Sequence, residues 1–409
     1  MARIVIRRFL AQRRSLGIDA RRVSVAGCLS AVGDGVRLVA LPLSAVAVTR
    51  DPLQVTAVIA AARLPWTLAP VIGAAVDRLN HCRVMVAADV TRAVVMLLLA
   101  GAIVLGRREI WVLVVVALAA GVAEVFFETA NQALVPSLVT DSHFERVNSR
   151  LVIVQALGMT LAGPPLGLLL WTVWPPAAFL LDAATFLGSA ALIAKVAHFA
   201  PAGAPPPPAP RGLLRSAMAG MSFLTRHRAL RKLVIVMSAT CFANQGVFSL
   251  LVLHSSVVLG LPASGYGWLL IAGGLGSLAA ANAAASLLRL LSHRTALVVS
   301  VAMLSATCLG MAITTWWPVA ASLIALNGAA TAVLNVIVLS ARQRLAPPHL
   351  LGRVTAGARA VARAATALGA TTAGLAATGL DLPLTWILAS LVLAGSVPLA
   401  FSLDDTPHE

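Results

Sequence analysis

The chain has 409 residues, of which 59% are hydrophobic and only 11% are charged. Soluble proteins average about 45–50% apolar and about 25% charged residues, so this composition excludes a soluble multidomain enzyme. The formal net charge of +16 is typical of nucleic-acid-binding proteins. Whether the basic residues form one patch or follow a membrane topology therefore decides between two very different classes of protein.

Twelve apolar runs are long enough to cross a bilayer, whose hydrocarbon core of roughly 30 Å needs about 20 apolar residues per helix. Charged or proline-rich breaks separate the runs. In chain order the predicted helices cover 23–48, 53–76, 83–105, 110–138, 150–170, 174–196, 232–259, 265–288, 295–314, 317–340, 353–378 and 383–402. The sequence thus predicts an all-α membrane protein with twelve transmembrane helices.

Basic residues orient these helices. If the N-terminus is cytoplasmic, 22 of the 31 Lys and Arg residues fall in cytoplasmic segments, whereas only Arg50, Arg107 and Arg108 fall in external ones. This distribution follows the positive-inside rule. Topology and contact with anionic lipid therefore explain the net charge, and we expect both termini in the cytoplasm and no nucleic-acid partner.

A Pro/Ala-rich stretch at 204–210 divides the helices into two sets of six and is typical of a semi-rigid linker. After it, Leu214, Met218, Met221 and Leu224 recur at helical spacing among basic residues, which predicts a helix on the membrane surface. The predicted organisation is a basic cytoplasmic segment 1–22, a six-helix bundle 23–196, a cytoplasmic linker 197–231, a second six-helix bundle 232–402 and a cytoplasmic tail 403–409.

The two halves resemble a parallel internal repeat. Residues 30–41 align with residues 241–252 at an offset of 211, which pairs Gly35 with Gly246. Doubling of a six-helix unit in this way is common among secondary transporters.

Signatures of catalysis and of metal binding are absent from the sequence. Neither lysine, Lys195 or Lys232, is followed by the Ser or Thr of a phosphate-binding GxxxxGK[ST] loop, and no HExxH occurs. The four cysteines are far apart and show no CxxC spacing. We therefore expect no enzymatic activity, no cofactor and no bound metal ion.

Residues 73–83 read GAAVDRLNHCR and resemble the G-x-x-x-D-R-x-G-R-R loop between the second and third helices of the major facilitator superfamily. The resemblance implies that superfamily's fold, with two six-helix bundles around a central cavity, and a cytoplasmic conformational latch. The latch residues are then Gly73, Asp77, Arg78 and Arg83. The sequence departs from the motif at Asn80, which tolerates the left-handed backbone that Gly would supply, and at His81, where an Arg is usual.

A second motif lies in the fifth predicted helix, where Gly158, Gly163, Pro164 and Gly167 resemble the glycine-proline motif of the superfamily's antiporters. This motif favours export. The alternative is ordinary packing of small residues between helices. Five short segments further resemble the bacterial branch that contains enterobactin exporters and macrolide-efflux proteins: 30–41, 63–65, 87–92, 130–136 and 352–354.

Polar side chains inside the predicted helices are candidate functional groups, because a charge at a helix centre costs roughly 2.5–3.5 kcal/mol on insertion scales. Most lie in helices one, four, seven and ten, which line the central cavity in the superfamily. The candidates for substrate binding or proton coupling are Asp34, Glu124, Glu128, Asn131, Asn244, Gln245, Asn327, Asn335 and Arg363. Asp34 and Glu124 are candidate proton carriers because they lie near the middle of their helices, and Arg363 in helix eleven is a candidate partner for an anionic substrate group.

A structural ion-pair network is the alternative to a transport role for these charges. Asp34 and Arg37 are three residues apart, and Asp89 and Arg92 repeat that spacing in helix three. Candidate partners for Asp34, and for Glu124 and Asp182, are Arg63, Arg359 and Arg363.

These observations favour a secondary active exporter, driven by protons, of a small amphipathic molecule such as a drug, a macrolide or a siderophore. We expect a monomer that crosses a bacterial inner membrane several times. Two alternatives stay open: an importer of a nutrient or siderophore, and a membrane scaffold or sensor that transports nothing.

Overall fold

The computed structural model describes residues 18–76, 78–107, 109–134, 158–197, 221–347 and 351–402. Within these ranges every regular element is a helix, so the predicted all-α fold is confirmed. Three predicted features lie wholly or largely outside the described residues: the basic N-terminal segment, the linker with its surface helix, and the C-terminal tail.

The helices follow the predicted spans in order. They are α1 (Ile18–Val48), α2 (Pro52–Arg63), α3 (Ala69–Val76), α4 (His81–Val104), α5 (Ile110–Leu134), α6 (Gly163–Val173), α7 (Pro175–Ala197), α8 (Arg228–Val257), α9 (Ala263–Leu290), α10 (His293–Ile313), α11 (Trp317–Leu345), α12 (Leu351–Gly379) and α13 (Leu382–Phe401). Among the described residues, nine helices are long and apolar enough to cross a membrane. The chain is therefore a multi-pass membrane protein. The count of twelve crossings stays a prediction, because α2, α3 and α6 are short and α12 is rich in Ala, Gly and Thr.

Prolines explain two interruptions of the predicted spans. The second span, which contains α2 and α3, is broken by a 3₁₀ helix at Leu64–Leu68. Pro65 lies at its start, and a proline has no N–H to continue the α-helical ladder. The fifth span has a π-helical turn at Gly158–Ala162, directly before Pro164 and Pro165. Such turns are frequent at functional sites, and this one lies where α6 meets α1 and α9.

Each half of the chain packs into its own bundle. In the first half α1 packs on α6 and α7, and α4 packs on α5 and α7; in the second half α8 packs on α12 and α13, and α9 packs on α11. The halves meet along two seams, where α12 lies against α2 and where α9 lies against the π turn and α6. Glycine allows this close approach, since a Cβ added to Gly374 would overlap Thr56 and one added to Gly274 would lie 2.6 Å from the Cγ2 of Thr160.

The aligned glycines of the predicted repeat occupy corresponding places in the two halves. A Cβ added to Gly35 in α1 would lie 2.8 Å from the Cα of Gly163 at the start of α6. A Cβ added to Gly246 in α8 would lie 3.1 Å from the carbonyl oxygen of Gly369 in α12. The first helix of each half thus packs closely on a helix near the end of that half, as expected if one six-helix unit was duplicated.

Candidate functional site

Seven charged side chains from five helices lie together inside the first half. We call them the charge cluster: Asp34 and Arg37 from α1, Arg63 from α2, Asp89 and Arg92 from α4, Glu124 from α5, and Asp182 from α7. Ion pairs no longer than 3.8 Å connect every member to at least one other. The cluster therefore ties together five helices of one bundle by charge.

Arg37 is the centre of the charge cluster. One of its terminal nitrogens, Nη2, lies 2.5 Å from Oδ1 of Asp34 and 3.2 Å from Oε2 of Glu124. Its Nε lies 3.7 Å from Oδ2 of Asp182. The Arg37 side chain is only 9% exposed, so these three carboxylates, rather than water, surround the guanidinium.

Arg92 anchors the inner part of the cluster. It is almost fully buried, pairs with Asp89, and has its Nη1 3.6 Å from Oδ2 of Asp34. Its guanidinium carbon also lies 4.5 Å from the ring centroid of Phe127 and 4.2 Å from that of Phe186. A desolvated cation gains stabilising energy from each aromatic face it contacts. Arg92 is thus placed to hold α4, α5 and α7 together rather than to bind a ligand.

Glu124 and Arg63 form the accessible edge of the cluster. Nη1 of Arg63 lies 3.8 Å from Oε1 of Glu124. The Arg63 side chain is 23% exposed and the Glu124 side chain is 21% exposed, against 9% for Arg37. Glu124 therefore connects the buried central guanidinium to a surface that solvent reaches.

The second half adds a cation to this edge. Arg363 of α12 stacks on Trp66, with its guanidinium carbon 3.8 Å from the ring centroid. It interacts electrostatically with Arg63, Glu124 and Glu128. None of the ion pairs in the described part of the chain includes Arg363. Arg363, the predicted partner for an anionic group, therefore lies beside the cluster and stacks on an aromatic ring of the first half.

Glu128 and Asn131 continue along the same helix as Glu124. Oε1 of Glu128 accepts a hydrogen bond of 2.9 Å from Gln132. Oε1 of Gln132 in turn accepts one of 3.4 Å from Arg359 of α12. Asn131 is buried. The predicted stripe on α5 thus runs from the accessible edge of the cluster towards the core, and its two acids lie close to the arginines of the other half.

In the second half, two of the predicted amides form a hydrogen-bonded group. Asn244 of α8 donates to the hydroxyl of Thr331 at 3.2 Å. Asn327 of α11 donates to Thr307 at 3.1 Å and to the Oδ1 of Asn244 at 3.5 Å. This amide group lies where the first and fourth predicted helices of the second half meet, which is also where Arg37 meets Glu124 in the first half.

The other two predicted amides lie apart from that group. Gln245 is half-buried and Asn335 is exposed. The hydrogen bonds of the described residues connect neither of them to Asn244 or Asn327. Their expected role in substrate binding therefore depends on their position along the helix alone.

The predicted conformational latch is only partly described. Asp77 lies outside the described residues, and Arg78 and Arg83 are exposed. Gly73 has room for a side chain, since an added Cβ would lie 3.5 Å from the Cγ2 of Thr129, which is an ordinary contact. The latch therefore stays a prediction.

Asn80 corrects one detail of that prediction. Its φ of −71° and ψ of 112° are extended rather than left-handed. Its side-chain oxygen accepts a hydrogen bond of 3.1 Å from the backbone N–H of Arg83. Asn80 is thus the N-cap of α4, a position that Asn strongly favours. The expectation of a left-handed backbone was wrong, because capping of the next helix determines its conformation.

The glycine-proline motif packs directly on α1. A Cβ added to Gly163 would lie 2.5 Å from the Cα of Gly35, and one added to Gly167 would lie 2.6 Å from a backbone oxygen of α1. Gly158 is buried against α1 as well, and Pro164 is buried in the first turn of α6. These contacts are those of small-residue packing, and they place α6 against the turns of α1 that carry the charge cluster.

Asp182 was predicted only as a partner for arginines, and the aromatic residues Trp66, Phe127 and Phe186 were not predicted to belong to the site. A signal for Asp182 does exist, because it is the only ionisable residue between 175 and 194 and a lone charge in an apolar span is costly. No comparable signal marks the aromatic residues, since Phe and Trp are common in apolar helices.

Comparisons with known proteins agree with this architecture. The family model described as Major Facilitator Superfamily matches residues 23–370. The uncharacterised MFS-type transporter y4rN of Sinorhizobium fredii (strain NBRC 101917 / NGR234) is 30% identical over 298 residues, which are 68% of this chain and 68% of that protein. The human organic anion transporter MFSD10 (TETRAN) superposes with a TM-score of 0.65 at 19% identity, covering 93% of this chain and 99% of that one. The nucleoside transporter NupG superposes with a TM-score of 0.65 at 14% identity, covering 94% and 98%. At these identities the two structures show a shared fold alone.

Proposed function

Because the chain belongs to the major facilitator superfamily, we propose that it is a secondary active exporter, driven by protons, of a small amphipathic molecule such as a drug, a macrolide or a siderophore. The outward direction, the coupling proton and the bacterial inner membrane are parts of this proposal. The observation that carries it is the charge cluster, since ionisable groups inside a membrane are costly and mark the pathways of ions and substrates.

The charge balance of the cluster supports a proton as the coupling ion. Its seven residues comprise four carboxylates, those of Asp34, Asp89, Glu124 and Asp182, and three guanidinium groups, those of Arg37, Arg63 and Arg92. One negative charge is therefore unmatched within the cluster, where an uncompensated buried charge is strongly destabilising. A bound proton removes that charge. The deprotonated cluster therefore has one excess negative charge that a further cation could balance, and the protonated cluster has none.

Glu124 is the group through which that charge state acts on the second half. It pairs with Arg37 in the core and with Arg63 at the accessible edge, and it interacts electrostatically with Arg363 of α12. Protonation of Glu124 weakens all three attractions and so changes how firmly α12 is held to the first half. Asp34, which lies 2.5 Å from Arg37, is the alternative proton carrier.

The packing of the two halves suits alternating access. α12 contacts the first half closely along α2, less along the 3₁₀ helix and least along α3. Because α2 starts at the predicted external end of its span, the described parts of the halves are joined externally and separate towards the cytoplasm. We infer an inward-facing state, from which rocking of the two bundles would open the cluster edge to the other side.

A substrate of mixed polarity fits the surroundings of Arg363. This half-buried cation stacks on Trp66 without a carboxylate partner among the described residues, and so offers an anchor for an anionic or electron-rich group. Asn244 and Asn327 add amide groups from the second half. Small-molecule sites commonly combine apolar walls with a few polar anchors of this kind.

The glycine-proline motif at the start of α6 supports export over import, because it resembles the motif of antiporters. An importer of a nutrient or siderophore is the first alternative, and the direction of accumulation in intact cells separates the two. A scaffold or sensor that transports nothing is the second alternative.

The test uses everted membrane vesicles with an imposed inside-acidic pH gradient and a panel of fluorescent dyes and macrolides. We expect the gradient to drive uptake of at least one probe by the unmodified chain. Glu124→Gln or Asp34→Asn should abolish the dependence on the gradient while downhill flux continues. Asp381→Asn is the matched control, because it neutralises an exposed acid at the start of α13, away from the cluster.

Different outcomes overturn different parts of the proposal. Flux that ignores the gradient overturns the proton scheme, and coupling that survives both Glu124→Gln and Asp34→Asn overturns the role of these two acids in it. Probe accumulation in intact cells overturns the direction. A reconstituted protein that moves no probe in either direction supports the scaffold or sensor.

A further inference from the structure

Asp182 of α7 is completely buried, with an exposure of 0%. Neither of its carboxylate oxygens has a hydrogen-bond partner among the described residues. Its one described ion pair joins Oδ2 to the Nε of Arg37 over 3.7 Å, which is longer than a hydrogen bond. Thr185, one turn away, donates its hydroxyl proton to the backbone carbonyl of Asp182 instead. An ionised carboxylate at this place would have almost no stabilising donor.

The cations near Asp182 are already paired with other acids. The ionisable groups around it are Arg37 and Asp34 of α1, Arg92 and Asp89 of α4, and Glu124 of α5. Arg37 is held more closely by Asp34, at 2.5 Å, and by Glu124, at 3.2 Å. Arg92 is paired with Asp89. α6 also packs on α7 but carries no ionisable side chain. Of the four acids in the cluster, Asp182 is therefore the one whose negative charge no closely paired arginine balances.

We propose that Asp182 binds the coupling proton in this conformation, while Asp34 and Glu124 stay ionised on Arg37. The assignment rests on the proposed function, and it replaces Glu124 and Asp34 by Asp182 as the group that holds the proton in this conformation. Binding converts the carboxylate and one proton to the neutral acid, after which the cluster holds three negative and three positive groups. Release reverses this step when Arg37 turns from Glu124 towards Asp182 and stabilises the carboxylate.

A cleft in the first half approaches Asp182 from the side that is predicted to be external. Its empty volume, with the adjoining open solvent included, is about 540 Å³. Three lining residues lie two helical turns from cluster members on the same helix: Ser44 from Arg37, Leu99 from Arg92 and Pro175 from Asp182. At 1.5 Å per residue, this separation is about 10 Å. The cleft therefore ends on the predicted external side of the cluster. It is separate from the cluster edge that faces Arg363.

The lining of the cleft is mostly apolar with a few polar groups, and its path to the cluster is closed in this conformation. Arg107 and Glu109 line it, and the indole N–H of Trp171 donates to a serine hydroxyl of α1 at 3.2 Å. Met96 and Phe179 are fully buried and occupy the turn between the cleft and the cluster. A closed path on this side is what an exchanger requires while its other side is open.

Infrared difference spectroscopy of the full chain in liposomes tests the assignment without a known substrate. A protonated carboxyl group has a C=O stretching band that shifts in D₂O and disappears on ionisation at alkaline pH. We expect such a band at neutral pH in the unmodified chain and its loss in Asp182→Asn. Asp381→Asn is again the matched surface control. Labelling every aspartate with ¹³C in the unmodified chain should move the band, and labelling every glutamate should leave it, so a second measurement does not depend on the folding of a variant.

Three results overturn the assignment: no band at neutral pH, a band that persists in Asp182→Asn, or a band that moves with the glutamate label. The failure of the proposed function looks different. A band that is lost in Asp182→Asn, without gradient-driven flux in vesicles, supports the proton on Asp182 and removes the exporter. Gradient-driven flux with a band that moves with the glutamate label keeps the exporter and overturns the assignment to Asp182.

Discussion

Removal of the central guanidinium tests the charge cluster most directly. Arg37→Met keeps an unbranched, apolar stem but leaves Asp34 and Glu124 without their closest cation. Loss of one partner of a buried ion pair costs about 3–5 kcal/mol. Because the Arg37 side chain is only 9% exposed, solvent screening reduces this cost little. Proton uptake by one of the stranded acids does reduce it, so we expect a loss of stability near the lower end, about 3 kcal/mol.

The predicted loss is large enough to measure by thermal unfolding. For chains of 150–250 residues, 1 kcal/mol shifts the melting temperature by roughly 2–4 °C, and each bundle of this protein is of that size. Arg37→Met should therefore lower the melting temperature by about 6–12 °C. The unfolding is monitored by tryptophan fluorescence in detergent. Arg289→Gln, which removes an exposed arginine at the end of α9, should leave it unchanged.

Compensation separates a charge effect from a packing effect. Loss of one partner of a buried ion pair is costly because it leaves an uncompensated charge, and removal of the paired charges as well avoids that cost. Arg37→Met combined with Asp34→Asn and Glu124→Gln should therefore regain most of the lost stability. A triple variant as unstable as Arg37→Met, or a single variant as stable as the unmodified chain, would refute the view that the cluster is held by charge.

Three further substitutions test other contacts. Gly163→Ala places a Cβ 2.5 Å from the backbone of α1, so thermal unfolding should show a loss of about 1–3 kcal/mol; Gly101→Ala, where nothing lies within 4 Å, should be neutral or stabilising, and equal effects would contradict the close packing of α1 and α6. Arg92→Lys keeps the charge but loses the planar group that stacks on two phenylalanine rings; we expect a loss of about 1–2 kcal/mol in denaturant unfolding, and unchanged stability would argue against an anchoring role. Arg363→Gln should weaken binding of the anionic dye fluorescein roughly tenfold, the worth of one charge-assisted hydrogen bond, and spare the cationic xanthene rhodamine 123; equal effects on both dyes would count against an anion anchor.

Contacts within a helix could be predicted from spacing. Asp34 and Arg37, like Asp89 and Arg92, are three residues apart and therefore lie on one face of a helix. Both ion pairs are present in the structure.

Contacts between helices could not be predicted in this way. Arg63 had three candidate acids and reaches Glu124, whereas Arg363 stacks on Trp66 and has no ion pair among the described residues. Such choices depend on the rotation and tilt of each helix about its axis. The spacing of residues within one helix does not determine the rotation or the tilt of that helix.

The sequence by itself determined that the chain is an α-helical membrane protein, where its apolar spans lie, and which few charges interrupt them. It did so because length, hydropathy and charge are properties of the residues themselves. Only the tertiary structure decided that four acids share three arginines and that neither oxygen of Asp182 has a hydrogen-bond donor among the described residues. Partners in a charge cluster are set by distances of a few ångströms between helices that are far apart in the chain, and packing alone determines those distances.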